Sequence, residues 1–404
     1  MIKSTRRTFL REAAQGAAVL TVAGSAPQFL LKAAAADAKG GDRVLVVVQL
    51  SGGNDGLNTI VPFDNDDYYK NRPKLAVAKN DVLKINDQLG FHPELTGFAS
   101  LLESDRLAIL QGVGYENPNR SHFESMDVWH TCDRKESRRE DGWLGRYLDG
   151  RPADGGDVGA LHLGKEKQPR ALLAQKAHAL SVSSLDRFRL RDAEQLRGKI
   201  EALAAPKIDG DDLLGFVQAS TSTALVASKR VEAAAGNYSA KAEYPDSQLA
   251  EKLKTVATLI DAGLGTRIYY VALDGFDTHS QQAGAHASLL RRLGGALQAF
   301  LDDLQAHGHG DRVLAMCFSE FGRRVAENAS EGTDHGVAGP MFLAGNPVKA
   351  GVHGKHPSFT DLLQGDLKHH TDFRRVYAEV LEKWLKVDSR EIIGKAYKPT
   401  SVIA

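Results

Sequence analysis

The run Val44-Leu45-Val46-Val47-Val48-Gln49-Leu50 constrains this chain more than any other stretch. Its opening residues are β-branched or leucine without a polar break. A short run that is apolar on both faces predicts a strand covered by helices on both sides, as in a parallel sheet. It passes directly into Ser51-Gly52-Gly53-Asn54-Asp55-Gly56. Glycines allow a sharp turn there, so Asn54 and Asp55 stand at the carboxyl end of the strand, where open α/β sheets place their ligands. An Asx-type turn that merely ends a strand uses the same residues. The choice therefore rests on how the other strands end.

Several end alike. Residues 92–103 predict an amphipathic helix, with Pro93 in its first turn and Leu95, Phe98, Leu101 and Leu102 on one stripe. A second short strand, 107–110, follows and completes a βαβ unit expected to be right-handed. The next loop closes on Arg120 and Ser121, and 122–131 reads as a helix with Ser121 as its N-cap. A serine there either caps the helix or, facing the positive end of its dipole, supports an alkoxide or a bound oxyanion. Arg120 beside it suits a phosphate or sulfate, or points to solvent. Residues 268–273 form a strand-like run that ends in Asp274-Gly275-Phe276-Asp277-Thr278-His279. On an extended tip, Asp277 and His279 share one direction and offer a carboxylate and an imidazole to one cation; a helix cap plus a surface histidine is the plainer reading. Residues 285–305 predict a long helix, and 313–318 a buried strand ending in Ser319-Glu320-Phe321-Gly322-Arg323-Arg324. A loop then carries Asp334 and His335, 341–345 reads as one more strand, and 373–385 as a closing helix with Trp384 in the core.

In a parallel sheet these tips open on one edge. Carboxylates gathered there repel one another unless a cation lies between them. The imidazoles among Asp55, Asp277, His279, Glu320, Asp334 and His335 favour zinc or manganese over calcium or magnesium. Such a divalent metal lowers the pKa of a serine hydroxyl or a water and neutralises an anionic transition state.

The rest of the chain sets bounds. Lys and Arg number 51 and so do Asp and Glu, so no nucleic-acid footprint shows in the balance. Thr5-Arg6-Arg7-Thr8-Phe9-Leu10-Arg11, a weakly apolar stretch to Ala26 and small residues at 34–38 have the form of a cleavable twin-arginine signal over 1–38. The protein is then expected to be exported, to the periplasm or beyond, by the twin-arginine machinery; an amphipathic N-terminal helix is the alternative. Nothing else is long and apolar enough to predict a bilayer span after cleavage. Only two cysteines occur, Cys132 and Cys317. Export permits a disulfide, but Cys317 inside Val-Leu-Ala-Met-Cys-Phe reads as a buried thiol. Residues 39–404 are expected to form a single α/β domain. A helical insertion is expected at about 186–264, from the alanine, leucine and charge composition of 186–205, 211–235 and 246–264. The acidic stretch 64–71 reads as a helix start, since it lacks the glycine pattern of a calcium loop.

Taken as a set, the twin-arginine start, VQLSGGNDGLNT, NPNRSHFESMDVWHT, DGFDTH, SEFGRR, TDHG and TDFRRVYAEVLEKWL resemble the exported family called domain of unknown function 1501. That family is grouped with the alkaline phosphatase and sulfatase superfamily. The resemblance implies an alkaline-phosphatase-like three-layer α/β sandwich with a mostly parallel central sheet and a two-metal site. It makes Asp55 similar to the first metal carboxylate, Ser121 to the nucleophile, Asp277 and His279 to an Asp/His metal pair, and His335 to a late histidine ligand. Glu320 takes the place of the aspartate of an Asp-His pair, and Phe321 that of its histidine. In a second register Asp334-His335 is that pair, with His353 or His356 as the late ligand. The function implied is an exported, metal-dependent hydrolase of phosphate or sulfate esters, acting on a small molecule or a glycan. Ser121 would attack, and Arg120 or Arg323 would hold the anionic group. The alternatives are a non-catalytic binding or assembly protein of the cell envelope on the same scaffold, and a transferase that moves a phospho-group onto an envelope polymer.

Overall fold

The computed structural model describes residues 43–134, 140–150, 159–177, 179–182 and 238–404. The expected signal segment and the helices expected over 186–205 and 211–235 lie outside these residues. The apolar run of the sequence analysis is strand β1, Val44–Ser51. Its alternate residues leave it in opposite directions, as the two-residue period of a strand requires. Val44, Val46, Val48 and Leu50 enter one apolar cluster; Leu45 and Val47 enter another on the opposite face.

Each cluster is closed by helices. On the first face lie α1 (Thr96–Glu103), α4 (Gln248–Asp261) and α5 (Gln282–Ala306). On the second lie α2 (His122–Thr131), α3 (Trp143–Asp149) and α6 (Phe373–Glu379). The result is a three-layer α/β/α sandwich. Fully burying a valine, leucine or phenylalanine is worth about 1.5–3 kcal/mol, so the two clusters supply the drive that sets this architecture. Although α4 falls inside the region expected as an insertion, Leu249, Leu253, Val256 and Ile260 carry its stripe into the first cluster. In that segment the helix is part of the sandwich.

The sheet has nine strands. In chain order they are β1, β2 (Leu107–Gly114), β3 (Ala160–Leu163), β4 (Leu180–Val182), β5 (Ile268–Asp274), β6 (Val313–Phe318), β7 (Gly339–Ala344), β8 (Gly351–His353) and β9 (Thr371–Asp372). Their spatial order is β8-β2-β7-β6-β1-β5-β3-β4, with β9 continuing beside β2. Strand β1 is central, parallel to both β5 and β6. Only β7 runs antiparallel, between β2 and β6. The carboxyl tips of β1, β2, β5 and β6 therefore share one edge.

Two expectations change in detail. Strand β2 runs on through Gln111-Gly112-Val113-Gly114, because pairing with β7 and β9 offsets the poor strand preference of its glycines. Strands β1 and β2 are parallel, yet β6 and β7 separate them, so the βαβ unit is not a neighbouring pair. Cys132 and Cys317 are both free and buried, and burial pushes each thiol up to about 12. Trp384 is in the core, where its Nε1 donates to the Val44 carbonyl. Among the described residues no helix is long and apolar enough to cross a membrane.

Candidate metal centre

Four side chains meet above the tips of β1, β5 and β6. Asp277 Oδ1 lies 3.0 Å from His279 Nε2, 3.1 Å from His335 Nε2 and 3.4 Å from His122 Nε2. The Nε2 atoms of His279 and His335 are 2.9 Å apart. Among the described residues, His122, Asp277 and His335 offer ligand atoms within 4.8 Å of one another.

The second nitrogen of each ring decides what the first can do. His122 Nδ1 faces Glu320 Oε1 at 2.9 Å, His279 Nδ1 faces Asp334 Oδ1 at 3.2 Å, and His335 Nδ1 faces the Arg120 carbonyl at 2.7 Å. A carboxylate or a carbonyl only accepts, so each Nδ1 carries the proton and donates it. In the neutral imidazole, each Nε2 is left with a lone pair. The His122 and His335 lone pairs and an Asp277 oxygen then share one place, with His279 Nε2 beside Asp277 and His335 at its edge. His122 Nε2 is buried and has no hydrogen-bond partner. This is the arrangement in which an outer carboxylate or carbonyl orients a metal-ligating imidazole. The donor set fits a divalent cation of the zinc type.

Each ligand is positioned by local chemistry. His122 opens α2, which is anchored to the sheet by Trp129; that indole stacks on Phe318 and Phe373 with centroids 5.3 and 4.3 Å away. Ser125 Oγ, one turn along, donates to the Glu320 carbonyl at 2.6 Å. Asp277 and His279 lie between β5 and α5. Gly52 (φ +117°) makes room for them: a Cβ there would sit 2.3 Å from the Asp277 nitrogen. His335 is held by a narrow antiparallel bridge to Arg323. Phe321 closes the floor, its ring 5.0 Å from that of His122 and 4.7 Å from that of His335.

Charge follows the same plan. Burial acts to raise Asp277, but the hydrogen bond from Arg323 and the nearby imidazoles of His335 and His279 outweigh it and hold the carboxyl at about 2. Asn328, with His279 assisting, lowers Asp334. The hydrogen bond that His122 donates to Glu320 raises His122 against burial, whereas burial lowers His335.

The residues singled out in the sequence thus divide. Asp277, His279 and His335 converge. Glu320 and Asp334 stand one shell out, each orienting a histidine. Asp55 is not among the converging atoms: its Oδ2 accepts from Arg72 Nη1 and from Gln282 Nε2, both at 2.5 Å. Arg323 is buried and committed, donating to the Gly52, Gly53, Phe276 and Thr333 carbonyls and to Asp277 Oδ1 at 2.7 Å. Arg120 is held on the buried Asp366. His353 and His356, ligands in the second register, instead bond the Lys349 and Pro357 carbonyls. Ser121 is exposed and makes no side-chain capping bond. It lies between Arg120, whose carbonyl holds His335, and His122. The residue that sequence reasoning missed is His122; its place directly after the strand-tip loop was the available signal.

The family described as "Protein of unknown function (DUF1501)" matches residues 42–395. The chain belongs to this family. No curated protein matches the DUF1501 chain. Solved structures similar to it include a protein in the alkaline phosphatase superfamily from Vibrio parahaemolyticus, with 8% identity and a TM-score of 0.36, the match covering 78% of this chain and 63% of that one. A second is the C-terminal periplasmic domain of EcEptC from Escherichia coli in complex with Zn, with 10% identity, a TM-score of 0.32 and coverage of 77% and 75%. A third is the lipoteichoic acid synthase LtaP from Listeria monocytogenes, with 9% identity, a TM-score of 0.32 and coverage of 76% and 65%.

Proposed function

We propose that this DUF1501 chain is an exported, metal-dependent hydrolase of phosphate or sulfate esters in which Ser121 is the nucleophile. The observation that carries the reading is the seat of Ser121, fixed between two residues that hold the histidine cluster. Its hydroxyl is not spent on capping, and it opens a ten-residue helix whose positive end favours an anion. A divalent cation held by His122, Asp277, His279 and His335 would polarise an ester oxygen and lower the pKa of a nearby hydroxyl. The protein's own part is to present the serine, to keep three imidazoles in one tautomer through Glu320, Asp334 and the Arg120 carbonyl, and to wall the floor with Phe321. Ser121 Oγ, its proton passed to water, attacks the phosphorus or sulfur; the ester oxygen departs as the alcohol, taking a proton from water; and a further water hydrolyses the seryl ester, releasing phosphate or sulfate and restoring the serine hydroxyl. Arg120 and Arg323 are both committed to protein acceptors, so the backbone N–H groups at the start of α2 take the anionic group. Export by the twin-arginine machinery rests on the motif at 5–11, and the substrate is a small-molecule or glycan ester.

Protein purified natively from the periplasm is expected to carry zinc or manganese and to cleave an aryl phosphate or aryl sulfate. Ser121→Ala should abolish turnover and keep the metal. An alanine variant as active as the parent removes the serine from the mechanism.

A second reading, a non-catalytic binding or assembly protein of the envelope, is favoured by Arg72 on Asp55 and by Phe321 in the floor. It predicts no ester cleavage by the natively purified protein, together with stable association with a cell-surface glycan or a secreted protein.

A further inference from the structure

We infer that the centre takes one divalent cation, not two, and that the buried Arg72–Asp55 pair fills the ground of the second and braces the ligand loops of the first. The inference rests on the metal reading above and is independent of whether the centre hydrolyses esters.

Asp55 is the carboxylate at the tip of the central strand, the place from which a second cation would be expected to draw a ligand. Both it and Arg72 are wholly buried. Besides Asp55, the Arg72 guanidinium donates to Asn58 Oδ1 at 2.8 Å and to the Val325 and Arg324 carbonyls at 3.0 Å each. It is therefore pinned where it stands. A guanidinium does not lose its proton in a protein, so this is a fixed positive charge. A divalent ion at Asp55 would have to displace it or lie beside it in a medium that screens poorly. Among the described residues, Asp55 belongs to no group of three close ligand atoms. Asn54 Oδ1 already accepts from Thr59 at 3.0 Å and meets His286 Nε2 at 3.0 Å, leaving Asp55 Oδ1 as the unpartnered oxygen there. Phe321 contributes an apolar ring at the position facing the centre.

The pair reaches the centre through Gln282. The Gln282 amide nitrogen donates to Asp55, while its oxygen accepts from Thr278 Oγ1 at 3.0 Å and Thr333 Oγ1 at 2.6 Å. Thr278 lies between Asp277 and His279, and Thr333 directly precedes Asp334 and His335. One side chain, oriented by Asp55, thus clamps both loops that bring ligands. Asp55 is in this sense a positioning residue.

The test counts metal by elemental analysis and titrates zinc into the chelator-stripped full-length mature protein. The parent is expected to bind one zinc per chain. Asp55→Leu/Arg72→Met removes both charges together and so avoids leaving one buried alone. It should still bind one zinc, with the dissociation constant raised roughly tenfold, the low end of what loss of outer-shell support costs. Two zinc ions or none in the parent overturns the inference. So does loss of stoichiometric zinc in the double variant, which would make Asp55 a ligand, or an unchanged affinity, which would remove the brace. One zinc without any ester cleavage leaves the inference standing and removes the hydrolase.

Discussion

His122 Nδ1 and Glu320 Oε1 lie 2.9 Å apart, and this contact ties the start of α2 to the tip of β6. Glu320 is itself fixed, its Oε1 accepting from the Gly52 amide at 2.8 Å and its Oε2 from Ser319 Oγ at 3.1 Å. Two sheet tips, those of β1 and β6, are thereby brought into register with one imidazole.

Glu320→Gln keeps the shape of this contact and removes its charge. The neutral acceptor makes His122 less basic and holds its tautomer less firmly. We expect zinc affinity to fall by about tenfold, read by competition with a chelator, with the far-ultraviolet circular dichroism unchanged. Unchanged affinity would show that Glu320 does not act through His122.

Ser121→Ala separates chemistry from capping. Losing a capping serine usually costs about 1 kcal/mol. Ser121 makes no such bond, so the variant should unfold in urea within about 0.5 kcal/mol of the parent. A loss near the usual figure would reveal a structural serine.

Arg72→Met alone, unlike the double replacement, strands the Asp55 carboxylate in the core. Breaking one side of a buried pair costs about 3–5 kcal/mol. Urea denaturation at pH 7 should register a loss of that order, and the double variant should recover much of it. Equal losses in the single and double variants would refute this account of the pair.

Acid sensitivity should come early. Burial holds His286 down at about 4 and His130 at about 3, from an ordinary 6.5. A histidine depressed by folding binds its proton more readily in the unfolded chain. Its stabilising contribution is whole above pH 6.5 and is lost as pH falls from there toward the folded value. At about 1.4 kcal/mol per unit, His286 alone accounts for roughly 3 kcal/mol between pH 7 and 4. Urea midpoints at pH 7, 6 and 5 should fall steadily, and His286→Gln should flatten the slope. A midpoint constant over that range would contradict the burial of these rings as neutral groups.

Much of the scaffold was legible in the amino-acid order. The valine run of β1, the apolar run of β6 and the leucine stripe of α5 state their burial by period alone, because burial on two faces or one stripe is a local property of a strand or helix. The polar tips Asp277-Thr278-His279 and Asp334-His335 were visible for the same reason: they interrupt that pattern. What only the tertiary structure decided was partnership. Asp55 and Arg72 are seventeen positions apart, His122 and Glu320 nearly two hundred. No period relates them, so nothing in the sequence says that Asp55 is neutralised by a guanidinium, that Arg323 is consumed by backbone carbonyls, or that His122 completes the cluster. Local patterning writes the elements, whereas coordination depends on which side chains the packed sheet brings within hydrogen-bond reach.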